Sequence, residues 1–408
     1  MEFTEKRVPK NFVPVPFEYH QIVELEIDDI TNLGAGVGRI DGWVVMVPYA
    51  LGGERVRARI FRNKKNYSEG DLVEVLRPSP ERVEPKCSLY GICGGCQYQH
   101  LSYKSQLEWK RKQVCDLMQR IGGIDFEVQP THPSPKQYGY RSKLTPHYER
   151  PRGEDFPIGF VKVGRRTDLV DVPYCPIASD KINEALPCAR TALSARKTEL
   201  KRGGTLLLRD CNQGVVSDNN AIVTENVGKI SYNFTAGEFF QNNPFILEEF
   251  VNYGVSQALG SKYLVDAYCG VGMFALAAAD KFEKVAGIEV SQKAIDCAKI
   301  NAEKNGIENC KFYAGKAESI FAGVAQDFSG KETSVLIDPP RAGCDESFLK
   351  QLVEFSPEKI VYVSCGPDTQ ARDLAYLTSN GYKLTRLQPF DLFPQTRHIE
   401  NVATLVRK

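Results

Sequence analysis

Apolar and polar residues alternate along the N-terminal part of the chain, from about residue 18 to residue 77. In Val23–Asp28 the apolar side chains take one face and acidic side chains the other, and Arg55–Ile60 repeats the pattern with a basic outer face. Alternation with a period of two predicts β-strands. Glycines in Gly34–Gly38 and Leu51–Gly53 predict turns between them. Several short strands in so short a stretch predict a small barrel.

The basic outer face of this predicted barrel has two interpretations. From Arg55 to Lys65 there are six basic residues and no acidic one. Such a run is typical of a solvated strand face, and it is also typical of a barrel edge that lines a nucleic-acid channel. The sequence leaves both open.

The pattern changes twice further along. After the proline-rich segment Arg77–Pro80 and a cluster of cysteines, the central region shows mixed strands and a helix over Leu101–Ile121. From about residue 245, apolar strands alternate with helical stretches, and two strands in succession close the chain. This order predicts a doubly wound parallel sheet with an antiparallel addition. Ligands of such sheets bind at the carboxyl ends of the strands.

Composition narrows the class of protein. The chain has 408 residues, 42% of them apolar and 25% charged, which is typical of a globular protein of two or three domains. A net charge of +1 neither indicates nor excludes a polyanionic partner. No apolar run reaches the roughly 18–20 residues of a spanning helix, and the N-terminus lacks a signal-peptide core. We therefore expect a soluble, cytoplasmic protein that does not contact a membrane and keeps its thiols reduced. Nothing in the sequence demands more than a monomer.

A glycine loop follows the first strand of the predicted parallel sheet. It spans Asp266–Gly272, opens a helix, and is followed by Glu289 at the end of the next strand. A carboxylate there can bind both hydroxyls of a ribose. A third glycine is missing after Gly272, which makes a dinucleotide a poor fit. A nucleoside without phosphates, such as S-adenosylmethionine, fits better.

Two further strand ends carry reactive groups. Asp338 begins an Asp-Pro-Pro-Arg sequence, whose prolines stiffen the loop, and Cys365 ends the next strand. The following helix could lower the pKa of Cys365 through its N-terminal N–H groups. A thiolate that adds to C6 of a pyrimidine makes C5 nucleophilic enough to take a methyl group, and a base must then remove the C5 proton. Glu400 is the candidate base. Taken singly, Cys365 also suits a core position and Glu400 a solvated carboxylate.

Three cysteines lie close together in the central region. Cys87, Cys93 and Cys96 occupy a glycine-rich run, which favours a metal ion or a cluster. His100 is near enough to complete a zinc site, and Cys175 is a remote fourth thiolate. The spacing alone favours neither zinc nor iron–sulfur.

Together these motifs resemble the RNA uracil-C5 methyltransferase family, which contains the 23S rRNA and tRNA m5U enzymes. The resemblance implies an α/β fold with a Rossmann-like methyltransferase domain, an N-terminal TRAM β-barrel and a central α+β domain that binds a cluster. It implies domains at residues 12–78 (TRAM barrel, RNA binding), 79–235 (iron–sulfur cluster) and 236–408 (catalysis).

The resemblance also implies roles for single residues. Cys365 matches the nucleophile and Glu400 the base. The residues that match the S-adenosylmethionine site are Gln241, Tyr268, Gly270, Glu289 and Asp338. The residues that match the ligands of a [4Fe–4S] cluster are Cys87, Cys93, Cys96 and Cys175. The segment Tyr140–Lys143 resembles a basic stretch that faces the active site.

The chain departs from the family pattern at Gly366, Met273 and Lys316, where asparagine, asparagine and an Asp or Asn are usual. The expected activity is methylation of a uridine in structured RNA. The first expected substrate is 23S rRNA, and the alternative is the T-loop uridine of tRNA. Competing hypotheses are a cytosine-C5 methyltransferase, a non-catalytic RNA-binding protein with a cluster, and an iron–sulfur redox protein.

Overall fold

A computed structural model describes residues 8–151, 154–164, 167–315, 321, 324 and 326–408. The chain forms two compact units. The first contains the residues up to Trp109 together with Gln395–Arg397, and the second contains Lys110–Pro394 and His398–Lys408. The division into three domains remains a prediction. Across the described ranges, no helix combines the length and the apolar character needed to cross a membrane.

The first unit contains a closed five-stranded barrel, as the alternating pattern predicts. Its strands follow the order β1-β2-β3-β5-β4. They are β1 (Ile22–Ile30), β2 (Ala35–Ile40), β3 (Trp43–Pro48), β4 (Arg55–Asn63) and β5 (Tyr67–Arg77). Inward-facing side chains such as Leu25, Val56 and Ile60 form its core. Because alternate side chains point into the closed barrel, its apolar residues are buried without a second layer of structure packed against the sheet.

Ion pairs cover the outer face of the barrel. Glu24 on β1 accepts from Arg55 at 3.1 Å and from Arg57 at 2.8 Å, across the antiparallel β1–β4 pairing. Further pairs join neighbouring strands: Arg57–Glu74, Arg59–Asp71, Arg62–Glu69 and Arg77–Glu26. The arginines of the basic run thus face acids from adjacent strands, which favours the solvated-face interpretation.

The central region contains small antiparallel sheets and two helices. Helix α1 (Tyr103–Arg120) confirms the predicted helix, whereas α2 (Asp180–Ala195) was not predicted. The strands of these sheets are β6 (Lys143–Leu144), β7 (His147–Tyr148), β8 (Ile158–Val161), β9 (Leu169–Asp171), β10 (Gly204–Thr205), β11 (Leu208–Cys211), β12 (Gly214–Val216), β13 (Ile222–Val227) and β14 (Ile230–Thr235). Their orders are β10-β7-β8-β9, β12-β11-β6 and β13-β14.

The C-terminal half of the chain builds a seven-stranded sheet in the order β17-β16-β15-β18-β19-β21-β20. The strands are β15 (Tyr263–Ala267), β16 (Lys284–Glu289), β17 (Cys310–Ala314), β18 (Thr333–Ile337), β19 (Lys359–Ser364), β20 (Tyr382–Phe390) and β21 (Glu400–Arg407). The first five are parallel, and β21 is antiparallel to both of its neighbours. This confirms the predicted doubly wound sheet and its antiparallel addition.

Helices cover both faces of this sheet, so its strands are apolar on both sides. They are α3 (Pro244–Ala258), α4 (Met273–Ala278), α5 (Gln292–Lys304), α6 (Glu346–Phe355) and α7 (Pro367–Ser379). One apolar cluster packs α3, α4 and α5 on one face, and another packs α6 and α7 on the other.

Candidate active site

The parallel strands of the large sheet bring four chain segments to one edge. Ala267, at the end of β15, is level with Ile288 on β16 and with Ile337 on β18. Glu289 therefore ends its strand at the same edge where the loops that begin with Tyr268, Asp338 and Cys365 leave theirs. Because β21 runs in the opposite direction, its first residue, Glu400, also lies at this edge.

A cavity of about 690 Å³ opens along this edge, within the second unit. That volume is within the range of about 300–1,000 Å³ found for small-molecule sites. All seven residues predicted for catalysis and cofactor binding line it: Gln241, Tyr268, Gly270, Glu289, Asp338, Cys365 and Glu400. Sequence motifs spread over 160 positions thus meet in a single site. Their individual roles remain predictions.

The loop after β15 needs glycine at the position that starts α4. Gly272 has a φ of 89°, in the left-handed region, and a Cβ there would lie 3.2 Å from the Phe312 ring. Asp266, buried in β15, accepts a hydrogen bond from the Ala275 N–H through Oδ2 at 2.9 Å, which ties the first turn of α4 to the strand. The loop is thereby held where its backbone lines the cavity.

Backbone N–H groups orient Glu289, the residue predicted to bind the ribose hydroxyls of the cofactor. The two carboxylate oxygens of Glu289 accept hydrogen bonds from the N–H groups of Gly270 at 3.2 Å and Ser291 at 2.9 Å. An ionised carboxylate has about four acceptor positions, so both oxygens keep capacity for hydroxyl donors. Gly270 leaves the space around its Cα open.

Gln241 presents an unsatisfied acceptor in the same cavity. Its side chain is 5% exposed, and Oε1 has no hydrogen-bond partner among the described residues. A buried acceptor without a partner carries a desolvation penalty. A polar ligand in the cavity would relieve that penalty.

Two carboxyl groups of the site, those of Asp338 and Glu400, are biased toward their neutral forms. Burial raises the pKa of Asp338 to about 7. Burial, and then the neighbouring Asp338, hold the pKa of Glu400 well above its usual range, although Arg341 works in the opposite direction. A cationic ligand would favour the ionised forms of these groups. The site is therefore electrostatically suited to a sulfonium ion.

The pKa of the Cys365 thiol differs from the sequence-based prediction, in which the following helix lowers it. Burial raises the pKa of its thiol to about 12, and the charges of Glu400 and Asp338 add to this effect. The start of α7 does not reverse that shift. The Arg341 guanidinium acts in the other direction, through its charge and a hydrogen bond. Arg341 was missed as a site residue, although it ends the Asp-Pro-Pro-Arg sequence and lines the cavity.

Gly366 allows close packing beside Cys365. Thr369 donates a hydrogen bond from Oγ1 to the Arg341 carbonyl at 3.0 Å, which joins the loops after β18 and β19. A Cβ at Gly366 would lie 2.9 Å from that Oγ1 and 3.0 Å from the Arg341 oxygen. Of the other departures, Met273 lines the cavity, and Lys316 lies outside the described residues.

The cysteines predicted to hold a cluster receive no support from the structure. Cys87, Cys93 and Cys96 belong to the first unit and Cys175 to the second. Thiolates suit iron, but within the described ranges no three His, Cys, Asp or Glu residues are placed to hold a metal. The proposed zinc ligand His100 is 2% exposed, and its Nδ1 is hydrogen-bonded to the Tyr90 hydroxyl.

Two family models match the chain. The model of the tRNA (Uracil-5-)-methyltransferase family matches residues 206–408, and the TRAM domain model matches residues 17–73. The second match covers the strands of the closed barrel from β1 to β4 and most of β5.

Named relatives extend the similarity over nearly the whole chain. The tRNA (uracil(54)-C(5))-methyltransferase of Schizosaccharomyces pombe is 40% identical over 422 aligned residues, which cover 96% of this chain and 80% of the relative. The enzyme of the same name from Saccharomyces cerevisiae is 34% identical, with 97% and 75% covered.

A solved structure agrees. The tRNA (uracil-54, C5)-methyltransferase of Pyrococcus abyssi, in complex with S-adenosyl-L-homocysteine, superposes with a TM-score of 0.73 at 26% identity. The similarity covers 94% of this chain and 99% of that one. This chain therefore belongs to the tRNA (uracil-5-)-methyltransferase family and is an S-adenosylmethionine-dependent RNA (uracil-C5)-methyltransferase.

Proposed function

We propose that this enzyme methylates C5 of the T-loop uridine of tRNA, at position 54. The two yeast relatives named for that activity align with at least 96% of this chain. These names favour the tRNA alternative over the 23S rRNA substrate that we first expected. The observation that carries the chemistry is the single cavity that contains Cys365, Glu400 and the residues predicted for the cofactor.

The residues of the cavity suit the cofactor. Glu289 has acceptor capacity for the ribose hydroxyls, and Gln241 Oε1 is available for a donor at the reacting end. The carboxyl groups of Asp338 and Glu400 favour a cation over a neutral ligand.

Catalysis begins at Cys365. Its thiol loses a proton to solvent, and the Arg341 guanidinium stabilises the thiolate. The thiolate sulfur forms a bond to C6 of the flipped uracil, and the electron pair of the C5–C6 double bond moves to C5 and the C4 carbonyl. S-adenosylmethionine would supply the methyl group that C5 then takes with this electron pair, and S-adenosylhomocysteine, which keeps the electrons of the broken sulfur–methyl bond, would be the second product.

Glu400 completes the reaction. It removes the C5 proton, the C5–C6 double bond re-forms, and the bond between C6 and the Cys365 sulfur breaks. The enzyme leaves with its thiolate restored. The base must be ionised at this step, so the raised pKa of Glu400 makes it a strong proton acceptor once deprotonated.

The substrate is tested with RNA transcripts and mass-spectrometric nucleoside mapping. We expect m5U in a tRNA transcript, none in the same transcript with uridine 54 replaced by cytidine, and none in a 23S rRNA transcript. Methylation of the rRNA and not of the tRNA would overturn the proposed substrate and leave the chemistry intact.

The catalytic roles are tested with two variants and a control. Cys365→Ala should lower the rate by roughly 10³-fold or more and keep tRNA binding. Glu400→Gln should form the adduct with RNA and fail to release it, so a covalent complex should persist in denaturing gels. Cys188→Ala, an exposed cysteine on α2, is the matched control and should behave like the wild type.

The iron–sulfur cluster remains a prediction from the sequence, and no step of the proposed reaction uses it. Iron and sulfide analysis of the anaerobically purified protein tests it directly. We expect about four of each per chain, lost in Cys93→Ser and kept in Cys188→Ser. Zinc in their place would revive the other interpretation of the cysteine spacing. A monomeric state and a cytoplasmic location likewise remain predictions.

A further inference from the structure

The segment that leads into Glu400 has an unusual backbone. Gln395 has a φ of 69°, in the left-handed region, and its side chain is only 2% exposed. A residue with a Cβ adopts this conformation at an energetic cost, and surrounding contacts must hold it there.

Those contacts come from a distant part of the sequence. The N–H groups of Gln97 and Tyr98 both donate to the Gln395 carbonyl, at 3.1 Å and 2.9 Å. Gln106, on α1 and 1% exposed, bonds Gln395 twice: its Nε2 donates to the side-chain Oε1, and its Oε1 accepts from the backbone N–H, each at 3.0 Å. All of these hydrogen bonds lie within the first unit.

A further hydrogen bond fixes the end of the segment. Gln97 Oε1 accepts from the Arg397 N–H at 3.2 Å, and Gln97 Nε2 donates to the Gly94 carbonyl at 2.9 Å. Gln97 follows Cys96 directly, so the loop that contains the clustered cysteines also holds Gln395–Arg397. The chain reaches Glu400 three residues after Arg397.

We propose that Gln106 and Gln97 are positioning residues for Glu400. They hold Gln395–Arg397 in the one conformation from which the chain delivers the Glu400 carboxyl to the C5 proton. The β21 pairing fixes the backbone from Glu400 onward, the buried Ile399 packs in the core beside it, and His398 Nδ1 contacts the Arg341 guanidinium at 3.2 Å. The segment before them, Gln395–Arg397, is the part that Gln97 and Gln106 hold. This inference rests on the proposed role of Glu400 as the base, and it is independent of what the cysteines bind.

Loss of these contacts should slow one step of the reaction and leave the others unchanged. Cys365 carries out addition, and C5 takes the methyl group before Glu400 acts. A misplaced Glu400 therefore slows only the final elimination, and the methylated covalent adduct accumulates. Substitution of a residue that only supports the fold would lower the rates of all steps together or reduce the amount of folded enzyme.

The experiment uses the full-length variants Gln106→Leu and Gln97→Ala with labelled tRNA and S-adenosylmethionine. We expect kcat to fall by about tenfold and the covalent adduct in denaturing gels to rise by a similar factor. We expect the dissociation constant of S-adenosylmethionine to stay within about twofold. Gln113→Leu is the matched control, because Gln113 is a buried glutamine two turns further along α1. It should leave kcat and adduct at wild-type levels.

Four outcomes would overturn the inference. The first outcome is a wild-type kcat and a wild-type level of adduct in both variants. If Glu400→Gln still traps the adduct in that case, the proposed function stands and only this inference fails. A Glu400→Gln variant without trapped adduct would overturn the role of the base and this inference with it. Weakened cofactor binding in both variants would show a general structural role. If Gln106→Leu does not fold, the test rests on Gln97→Ala alone, since Gln97 is only half-buried. The fourth outcome is that Gln97→Ala then fails to accumulate the adduct.

Discussion

Ser364 of β19 pairs with Asn401 of β21 at the end of their antiparallel ladder, directly beside the two groups proposed to react. Cys365 follows Ser364 and Glu400 precedes Asn401, so the pairing places the nucleophile and the base next to each other. Burial raises the pKa of the Cys365 thiol, and the charge of the adjacent Glu400 raises it further, so their proximity has an electrostatic cost. The sheet register thus brings the two groups together and contributes to the pH dependence of the reaction.

The first prediction concerns the pH dependence of methyl transfer. The thiol of Cys365 has a pKa of about 12 and Glu400 one well above its usual range, so both reactive forms become more populated as pH rises. The single-turnover rate should therefore increase by several-fold per pH unit between about pH 6.5 and 9. A stopped reaction with saturating tRNA and cofactor measures it. A rate that is flat from pH 6.5 upward would show that bound substrates lower both pKa values below neutrality.

The second prediction concerns Asp338 and stability. Its folded pKa of about 7 exceeds the ordinary value of 3.8, so the native state holds a proton that the unfolded state has lost between these values. Stability is therefore lost as pH rises through this window. Asp338→Asn, which stays neutral, should melt roughly 2–5 °C above the wild type at pH 8.

The same variant has an internal control. At pH 4.5, near the lower end of this window, most of the difference in melting temperature should vanish, because unfolding then gains far less from release of the Asp338 proton than it does at pH 8. Methyl transfer by Asp338→Asn should fall as well, since the variant removes a charge that favours the sulfonium. An equal gain in melting temperature at both pH values would assign the effect to packing.

The third prediction concerns Gly366. Alanine there would bring its Cβ within about 3 Å of Thr369 and of the Arg341 carbonyl, so Gly366→Ala should displace the Asp-Pro-Pro-Arg loop. Arg341 would then stabilise the Cys365 thiolate less, and the rate at pH 7 should fall by roughly tenfold. The deficit should shrink at pH 9. A deficit that is the same at both pH values would argue that Arg341 does not control the thiolate.

The fourth prediction concerns the outer face of the barrel. Because Arg57 faces Glu24 and Glu74, its charge is already compensated within the barrel. Arg57→Gln should change tRNA affinity by less than about twofold and leave the salt dependence of binding unaltered. A filter-binding titration over several salt concentrations measures both. A tenfold loss of affinity with a shallower salt dependence would show that this face opens onto the RNA.

The local elements and most of the residues that line the site follow from patterns of neighbouring residues, and the family resemblance adds the rest. Period-two alternation identified the barrel strands, and the alternation of apolar strands with helices identified the parallel sheet. Strand ends in such a sheet share one edge, so motifs as distant as Tyr268 and Cys365 could be expected at one site. The family resemblance, rather than the strand pattern, added Gln241 to them. Weakly patterned elements escaped: α2 contains Pro187, and β17 is an edge strand.

Properties that depend on residues distant in the sequence emerge only in the folded chain. Burial, rather than the following helix, sets the pKa of Cys365, and cross-strand acids neutralise a run that reads as basic. Gln106 and Gln395 are 289 positions apart, and no local pattern links them. Hydrophobic periodicity is a property of adjacent residues, whereas charge compensation, desolvation and the restraint of Gln395 arise only when the folded chain brings separate segments together.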